Sequence, residues 1–422
     1  MENTKKLNKW FLILVAIFQF PLKLAGSLHY LTYIYLYLIS LIYVFANYKY
    51  LVKNKTDKFQ IFKLVYIYLF FVAIIWPIIN GTFDFSYVSE YCTDAFLWVI
   101  KYSFLVIIFI KYVLKDNPFE EFAEYFIRGA GIYAFVSLLF ALIKPLREIA
   151  MNIFYLTEAD RTNMLRGEYV TRFGWTGWST FNETYVCTIA VILGCIIIYN
   201  SDNWNKRKQY LKIIVLPLVG NAMFGRIGLL VSVLCIAISI FLIVIKGNVK
   251  ILLLSLAACA LAVAMFFLLK NKTSVLNTWY EWVFSAFRNY QTMGKFYDDM
   301  GTIEHLSKDM YWMPKTSTFL LGDGRYTNPD GSYYMHTDPG VMRQILYYGV
   351  FHYMLSIVGM LLLINQFARE SICCTERKRI IIVYILLLLA LVVFELKGET
   401  IWMLLGILMP FVSMLNYCRQ SC

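Results

Sequence analysis

Apolar residues in this chain come in runs, and most of the runs are about as long as a membrane crossing. They fall at about 10–27, 28–46, 61–80, 95–114, 128–145, 182–200, 210–225, 227–246, 249–270, 341–367, 380–396 and 400–416. A helix needs about 20 apolar residues to cross a hydrocarbon core of about 30 Å. The pattern therefore predicts about twelve transmembrane helices. The polar breaks between them are not alike. Lys5, Lys6 and Lys9 precede the first run, Lys49, Lys53, Lys55 and Lys58 follow the second, and Lys111 and Lys115 follow the fourth. Lys206, Arg207 and Lys208 follow the sixth, Lys246 and Lys250 the eighth, Arg369, Arg377, Lys378 and Arg379 the tenth, and Arg419 the last. With twelve crossings every cluster falls on one side, and the positive-inside bias makes that side the cytoplasm, with both termini there. The opening MENTKKLNKW reads as the start of a retained span. The apolar run continues past Pro21 and Lys23 without a small-residue cleavage site.

Composition agrees with the pattern. Hydrophobic residues make up 60% of the chain, charged residues 16%, and mean hydropathy is +0.60, whereas a soluble domain carries about 25% charged residues. The expected fold is all-α, a polytopic integral membrane helix bundle forming one domain over 1–422. A net charge of +12 by itself would suggest nucleic acid. The basic residues instead sit in short loops between apolar runs, as topology determinants do, so no nucleic-acid partner is expected. The nine cysteines form no CxxC and no zinc spacing. They read as small apolar residues, with no structural metal. Cys92 alone falls in a loop assigned to the outside.

Two outer loops are long, 145–181 and 271–340. In the second, Trp279, Val283, Phe287, Tyr290, Met293, Tyr297, Met300, Ile303 and Leu306 recur every three to four residues. That spacing predicts amphipathic helix, either lying at the membrane interface or packed on the bundle as a lid. The stretch Thr318 to Gly349 is different again, polar, aromatic and punctuated by Gly322, Gly324, Asn328-Pro329, Asp330-Gly331 and Pro339-Gly340. A chain of membrane helices has no structural need for such a loop, so it is the first place to look for chemistry.

The outer arginines carry most information. Positive-inside bias makes arginine unusual there, yet Arg172, Arg226, Arg288, Arg325 and Arg343 are all placed on that side. Arg226 opens a span directly, in FGRIGLL. A guanidinium at that depth costs several kcal/mol unless an anion pairs with it, and its planar fork suits phosphate oxygens. Arg226 and Arg172 are expected to clamp a pyrophosphate; pairing with Glu183 or Asp338, or snorkelling to lipid headgroups, is the structural alternative. His336, one of four histidines, is neutral near pH 7 at its ordinary pKa of about 6.5. It can take a proton from an attacking hydroxyl, with Asp338 orienting the ring or acting as base itself. Otherwise it is simply an exposed loop residue. Trp175, Trp178, Tyr326, Tyr333 and Tyr334 offer flat faces for sugar stacking, or anchors at headgroup depth.

In this order the features resemble the bacterial O-antigen polymerases of the Wzy type, within the superfamily that includes the O-antigen ligases. Arg172-Phe173-Gly174 followed by Asn182 is similar to the family's arginine–glycine–asparagine loop. Arg226 in GRIGLLVSVL resembles its serine–arginine span opening, with Gly225 where serine is usual. FLLGDGRY, His336-Thr337-Asp338 and the YYG of Tyr347 to Gly349 resemble the end of its large periplasmic loop. The resemblance implies a GT-C-like glycosyltransferase in the bacterial inner membrane, with a large helical periplasmic loop. Its substrates would be undecaprenyl-pyrophosphate-linked oligosaccharides, joined at the periplasmic face with inversion and without metal or other cofactor. It also implies a flippase and a chain-length regulator as pathway partners. His336, Arg226, Arg172 and Asp338 would be catalytic, and Arg288, Arg325, Arg343, Tyr326 and Tyr334 would bind pyrophosphate or sugar. An O-antigen ligase, or a flippase for the same lipid-linked sugar, are the alternatives.

Overall fold

The computed structural model describes residues 8–52, 61–167, 170–245, 253, 274–294, 309–371 and 377–419. Among these the chain is all-α apart from one two-stranded antiparallel hairpin, β1 (Phe173–Gly174) and β2 (Gly177–Trp178). The helices in order begin with α1 (Lys9–Gln19), α2 (Gly26–Ala46), α3 (Ile61–Ile79), α4 (Val88–Tyr112) and α5 (Pro118–Leu142). There follow α6 (Lys144–Ile153), α7 (Glu158–Leu165), α8 (Phe181–Asn200), α9 (Trp204–Ile213), α10 (Val215–Phe224) and α11 (Arg226–Ile245). The last are α12 (Ser274–Val283), α13 (Ser285–Met293), α14 (Thr316–Leu321), α15 (Gly340–Ser371), α16 (Arg377–Glu395) and α17 (Ile401–Arg419). Eight of these, α2, α3, α4, α5, α8, α11, α15 and α17, are long and apolar enough to cross a membrane. The protein is an all-α, multi-pass membrane protein.

Four expected spans differ in the structure, one of them the run at 380–396, whose apolar helix Ile380–Glu395 is shorter than a crossing. The first apolar run stops being helix at Gln19, because Phe20 precedes Pro21 and is extended (φ −120°, ψ 90°). The run at 210–225 is split between α9 and α10, each of ten residues and so about 15 Å long. The run at 249–270 lies outside the described residues, Leu253 excepted. The predicted amphipathic segment is helical over α12 and α13, and its part from Tyr297 to Leu306 also lies outside them.

By internal contacts the chain divides into two units. The first comprises Met1–Ile39 and Ile108–Ser285. Its centre is α8, whose side chains from Thr184 to Tyr199 are all buried and which packs against α5, α9, α10 and α11. A capping box starts it, with Thr180 and Glu183 exchanging hydrogen bonds. Close packing depends on small residues: a Cβ on Gly225 would stand 2.7 Å from Thr184 Oγ1, and one on Gly228 would collide with the Thr184 methyl group. The described part of the loop at 145–181 is folded rather than open. Phe140, Ala150, Met151, Met164 and Phe173 form its small core, joined by Leu146, Phe154 and Trp178. Trp279 of α12 donates from Nε1 to Ala222 O at 2.8 Å, which docks α12 on the end of α10.

The second unit comprises Ser40–Ile107 and Ala286–Cys422. Its axis is α15, which packs against α3, α14, α16 and α17. This helix is interrupted at Gly349 (φ 85°, ψ 166°), and the interruption separates the turns from Gly340 to Tyr348 from the rest. Cys92 lies on α4 and is buried, not in an exposed outer loop. An impermeant thiol reagent will not find it there.

Candidate functional site

The polar loop of the second unit is built around a crossing of two backbones. Helix α14 ends at Gly322 (φ 72°), where a Cβ would sit 2.5 Å from Tyr347 O and Tyr348 N and 2.6 Å from Gly349 N. A Cβ on Gly349 would in turn run into Leu320 O. Only glycine fits both positions, for reasons of space and of left-handed backbone. The crossing is tied by Asp323 N to Leu346 O (2.7 Å) and Gly324 N to Tyr347 O (2.9 Å). Asp323 then accepts from Thr318 Oγ1 (2.8 Å) and Tyr334 OH (3.1 Å).

A second anchor comes from Asp84, in the turn between α3 and α4. Its Oδ2 accepts from the amides of Tyr326 (2.6 Å) and Thr327 (2.8 Å), while its Oδ1 caps Ser86 N at 3.0 Å. Thr82 Oγ1 donates to Gly324 O. The chain then doubles back through a Thr327–Tyr333 bridge. Inside it Ser332 donates to Asp330 Oδ1 from its amide (2.9 Å) and hydroxyl (2.6 Å), which holds the Asp330 carboxyl below its usual range. Met335 and His336 follow, both left-handed (φ 56° and 55°). Two successive non-glycine residues in that region cost about 1–2 kcal/mol each.

The sequence-derived residues of this unit fall into two groups. Arg325, Tyr334 and His336 lie at or near the surface, with the Arg325 guanidinium 5.8 Å from the Tyr334 ring centroid. The His336 ring meets Ser332 Oγ at 3.4 Å (Nδ1), and Asp338 faces Lys397 Nζ at 3.7 Å. The expected His336–Asp338 pair is not formed: the left-handed step at His336 turns the ring towards Ser332. Tyr326 and Arg343 belong to the second group and are buried, at 2% and 5% exposure. Arg288, on α13, is exposed.

Arg343 sits in a box of tyrosines. Its guanidinium carbon is 3.5 Å from the Tyr333 ring centroid, 4.3 Å from Tyr326 and 5.0 Å from Tyr91. Nη1 donates to Tyr91 OH at 2.7 Å, while Nε and Nη2 have no hydrogen-bond partner among the described residues. Beside it the turn between α16 and α17 carries two buried carboxyls. Glu395 accepts from Thr400 Oγ1 (3.0 Å), Ile401 N (2.8 Å) and Gln344 Nε2 (3.4 Å), and so caps α17. Glu399, 2% exposed, has no hydrogen bond of good geometry at either oxygen among the described residues, although the Tyr87 hydroxyl lies close enough to act on its carboxyl. Burial pushes its carboxyl up to about 8, against the pull of Arg343. An unpartnered buried polar atom costs about 1–3 kcal/mol, more when charged. Gly340 makes this closeness possible, since a Cβ there would stand 2.6 Å from Glu395 Oε2 and Gly398 O.

In the first unit, Arg172 precedes the β1–β2 hairpin and its carbonyl accepts from Ser179 N at 2.6 Å. The hairpin is pinned by Tyr133, whose hydroxyl meets Thr176 Oγ1 (2.6 Å) and Ser179 Oγ. Trp175 is buried and donates from Nε1 to Phe20 O at 2.7 Å. Asn182 is exposed. Arg226, exposed at the start of α11, donates from Nη1 to Ser285 Oγ at 2.7 Å.

Asp84, Glu90, Tyr91, Glu395 and Glu399 are the site residues that the sequence reading passes over. The signal for two of them is in ELKGET, where two glutamates within five residues stand at a short break between apolar runs. Asp84 carries no such signal. Among the described residues no three His, Cys, Asp or Glu side chains stand in a metal-holding group. Comparison with protein-family models and with curated proteins finds no match to this chain.

Proposed function

We propose that this protein is a membrane glycosyltransferase of the O-antigen polymerase type. It would have about twelve spans in a GT-C-like arrangement, both termini in the cytoplasm, and its site at the periplasmic face of the bacterial inner membrane. It moves a growing glycan from undecaprenyl pyrophosphate onto the next lipid-linked repeat unit. The observation that carries the reading is the construction of the loop from Thr318 to Gly349. Residues that bear the resemblance take part in this construction, since the glycines of GDG and YYG interlock; beside them Asp84 pins the segment that follows, and a cationic side chain is held among aromatic rings.

The chemistry asks for three things. The acceptor hydroxyl oxygen attacks the anomeric carbon, the bond from that carbon to the pyrophosphate oxygen breaks, and the hydroxyl proton passes to a base. Attack opposite the leaving group inverts the centre. Positioned cations stabilise the charge that grows on the pyrophosphate; the resemblance assigns Arg226 and Arg172 to this role, and Arg288 and Arg325 to pyrophosphate or sugar. His336, exposed beside Ser332, is assigned the proton by the same resemblance, with Asp338 the carboxylate two residues on.

The test is the lipopolysaccharide ladder from the native bacterium with this gene deleted and then restored. A single repeat on core, returning to a ladder on restoration, is the expected result. Loss of all attached repeats with polymer accumulating on the carrier would make the protein a ligase. Loss with no polymer anywhere would make it a flippase.

A further inference from the structure

Arg343 and Glu399 present a mismatch that the described residues do not resolve. Two N–H donors of a buried guanidinium and two oxygens of a buried carboxyl lack a hydrogen bond of good geometry among them, with only the Tyr87 hydroxyl acting on Glu399. The two groups do not close into an ion pair, although Gly340, one turn before Arg343, lies against Glu399. The elements around them are the first turn of α15, the turn between α16 and α17, the start of α4, and the polar loop at Tyr326 and Tyr333. The Tyr326 hydroxyl is likewise buried without a hydrogen-bond partner among the described residues, while four neighbouring side chains are engaged. Glu395 caps α17, Tyr91 receives Nη1 of Arg343, Tyr87 receives Trp402 Nε1 at 2.7 Å, and Tyr348 donates to Gln344.

We propose that Arg343 and Glu399 form a subsite for a neutral, hydroxyl-rich ring, a saccharide unit of the substrate, held by hydrogen bonds to both side chains and stacked on the surrounding tyrosines. This rests on the glycosyltransferase reading and adds to it the acceptor or donor sugar's own contacts.

The charges select the ligand class. Arg343 acts electrostatically on three carboxyls, those of Glu90, Glu395 and Glu399. An incoming pyrophosphate would crowd all three carboxyls and oppose the ionisation of each, and an incoming cation would meet the guanidinium. A sugar adds no charge. Its oxygen lone pairs accept from Nε and Nη2, and its hydroxyl protons go to Glu399. The C–H faces of its ring lie on Tyr91, Tyr326 or Tyr333. Tyr333 is the more exposed of the two rings closest to Arg343. It lies on the segment that ends in the left-handed pair Met335–His336. The sugar enters where Tyr333 now lies, as that segment lifts.

The test uses purified full-length protein and saturation-transfer difference NMR with free neutral hexoses, deoxyhexoses and N-acetylhexosamines as probes. At least one probe is expected to give ring-proton signal on the wild-type protein. Glu399→Leu removes both carboxyl oxygens and keeps the volume, so the fold is retained, as thermal melting will verify. It should weaken that probe by about fivefold or more, the equivalent of one lost hydrogen bond to a neutral carboxyl. Arg343→Met should do the same. Sugar signal that is absent, or that survives both substitutions, overturns the proposal and leaves the pair as packing. Displacement of the sugar by inorganic pyrophosphate also overturns it, in favour of an anion site. The ladder phenotype is measured separately. A polymerase whose sugar signal ignores Glu399 refutes this subsite and leaves the function standing.

Discussion

Replacing Gly322 by alanine tests whether the polar loop is a built site or a loose connection. The added Cβ must adopt φ 72°, which costs an L-residue about 1–2 kcal/mol. It also meets three backbone atoms of Tyr347, Tyr348 and Gly349 at 2.5–2.6 Å. Overpacking of this kind costs about 1–3 kcal/mol, and backbone cannot swing aside as a side-chain tip can. Against these stands a gain of about 0.4–1 kcal/mol from a less flexible unfolded chain. The net is a loss of about 2–4 kcal/mol in docking α14 onto the start of α15. The assay is hydrogen exchange in the native protein at the amides of Asp323 and Gly324, whose acceptors are Leu346 O and Tyr347 O. Their protection should fall by about 30-fold to 1000-fold, since each 1.4 kcal/mol is a factor of ten. Gly349→Ala should have the same effect, and the double substitution little more than either alone, because the two glycines guard one crossing. Unchanged protection in both single variants would refute the reasoning.

Arg226→Ala should leave protein level intact and abolish the ladder, and Arg226→Lys should not restore it, because a point charge does not replace a planar fork; normal ladders from either variant remove Arg226 from the mechanism. Gly225→Ser brings in the serine that is usual in the resembled family, but its Cβ would stand 2.7 Å from Thr184 Oγ1; melting should fall by an amount equivalent to about 1–3 kcal/mol, and Thr184→Ala should recover most of it, whereas no recovery would place the strain elsewhere. Glu399 gives a pH signature. Its carboxyl, about 8 when folded and about 4.3 when unfolded, keeps a proton in the folded protein that the unfolded chain has released. Stability therefore falls as pH rises from about 4.3 to about 8, by at most about 1.4 kcal/mol per unit, and Glu399→Gln should flatten the dependence of melting on pH; an equal slope in both proteins would mean that another group carries it.

How much of this was legible in the sequence depends on what each feature needs from the rest of the chain. A membrane helix is a local property, readable from a run of apolar residues, and eight of the expected runs match helices long enough to cross. The misjudged ends have local causes too. Pro21 stops α1 just before it, and Pro217, with no N–H to donate to Ile213 O, breaks the run that became α9 and α10 at Ile214. The polar loop was legible through its turn residues, and Gly322, Gly324 and Gly331, all at positive φ, stand where that punctuation put turns. What the residues could not disclose was which of them point inward. Arg325 and Arg343 read alike in sequence, yet one is at the surface and the other 5% exposed among three tyrosines. The difference comes from long-range partners: Tyr91 is 252 positions away, and Asp84, which orders the strand bearing Tyr326, is 242 away. His336 and Asp338 were paired by proximity in sequence. A left-handed backbone at His336, which no side-chain pattern announces, sends them apart. Buried charge in a membrane protein is placed by tertiary contacts, so its chemistry has to be read from the fold.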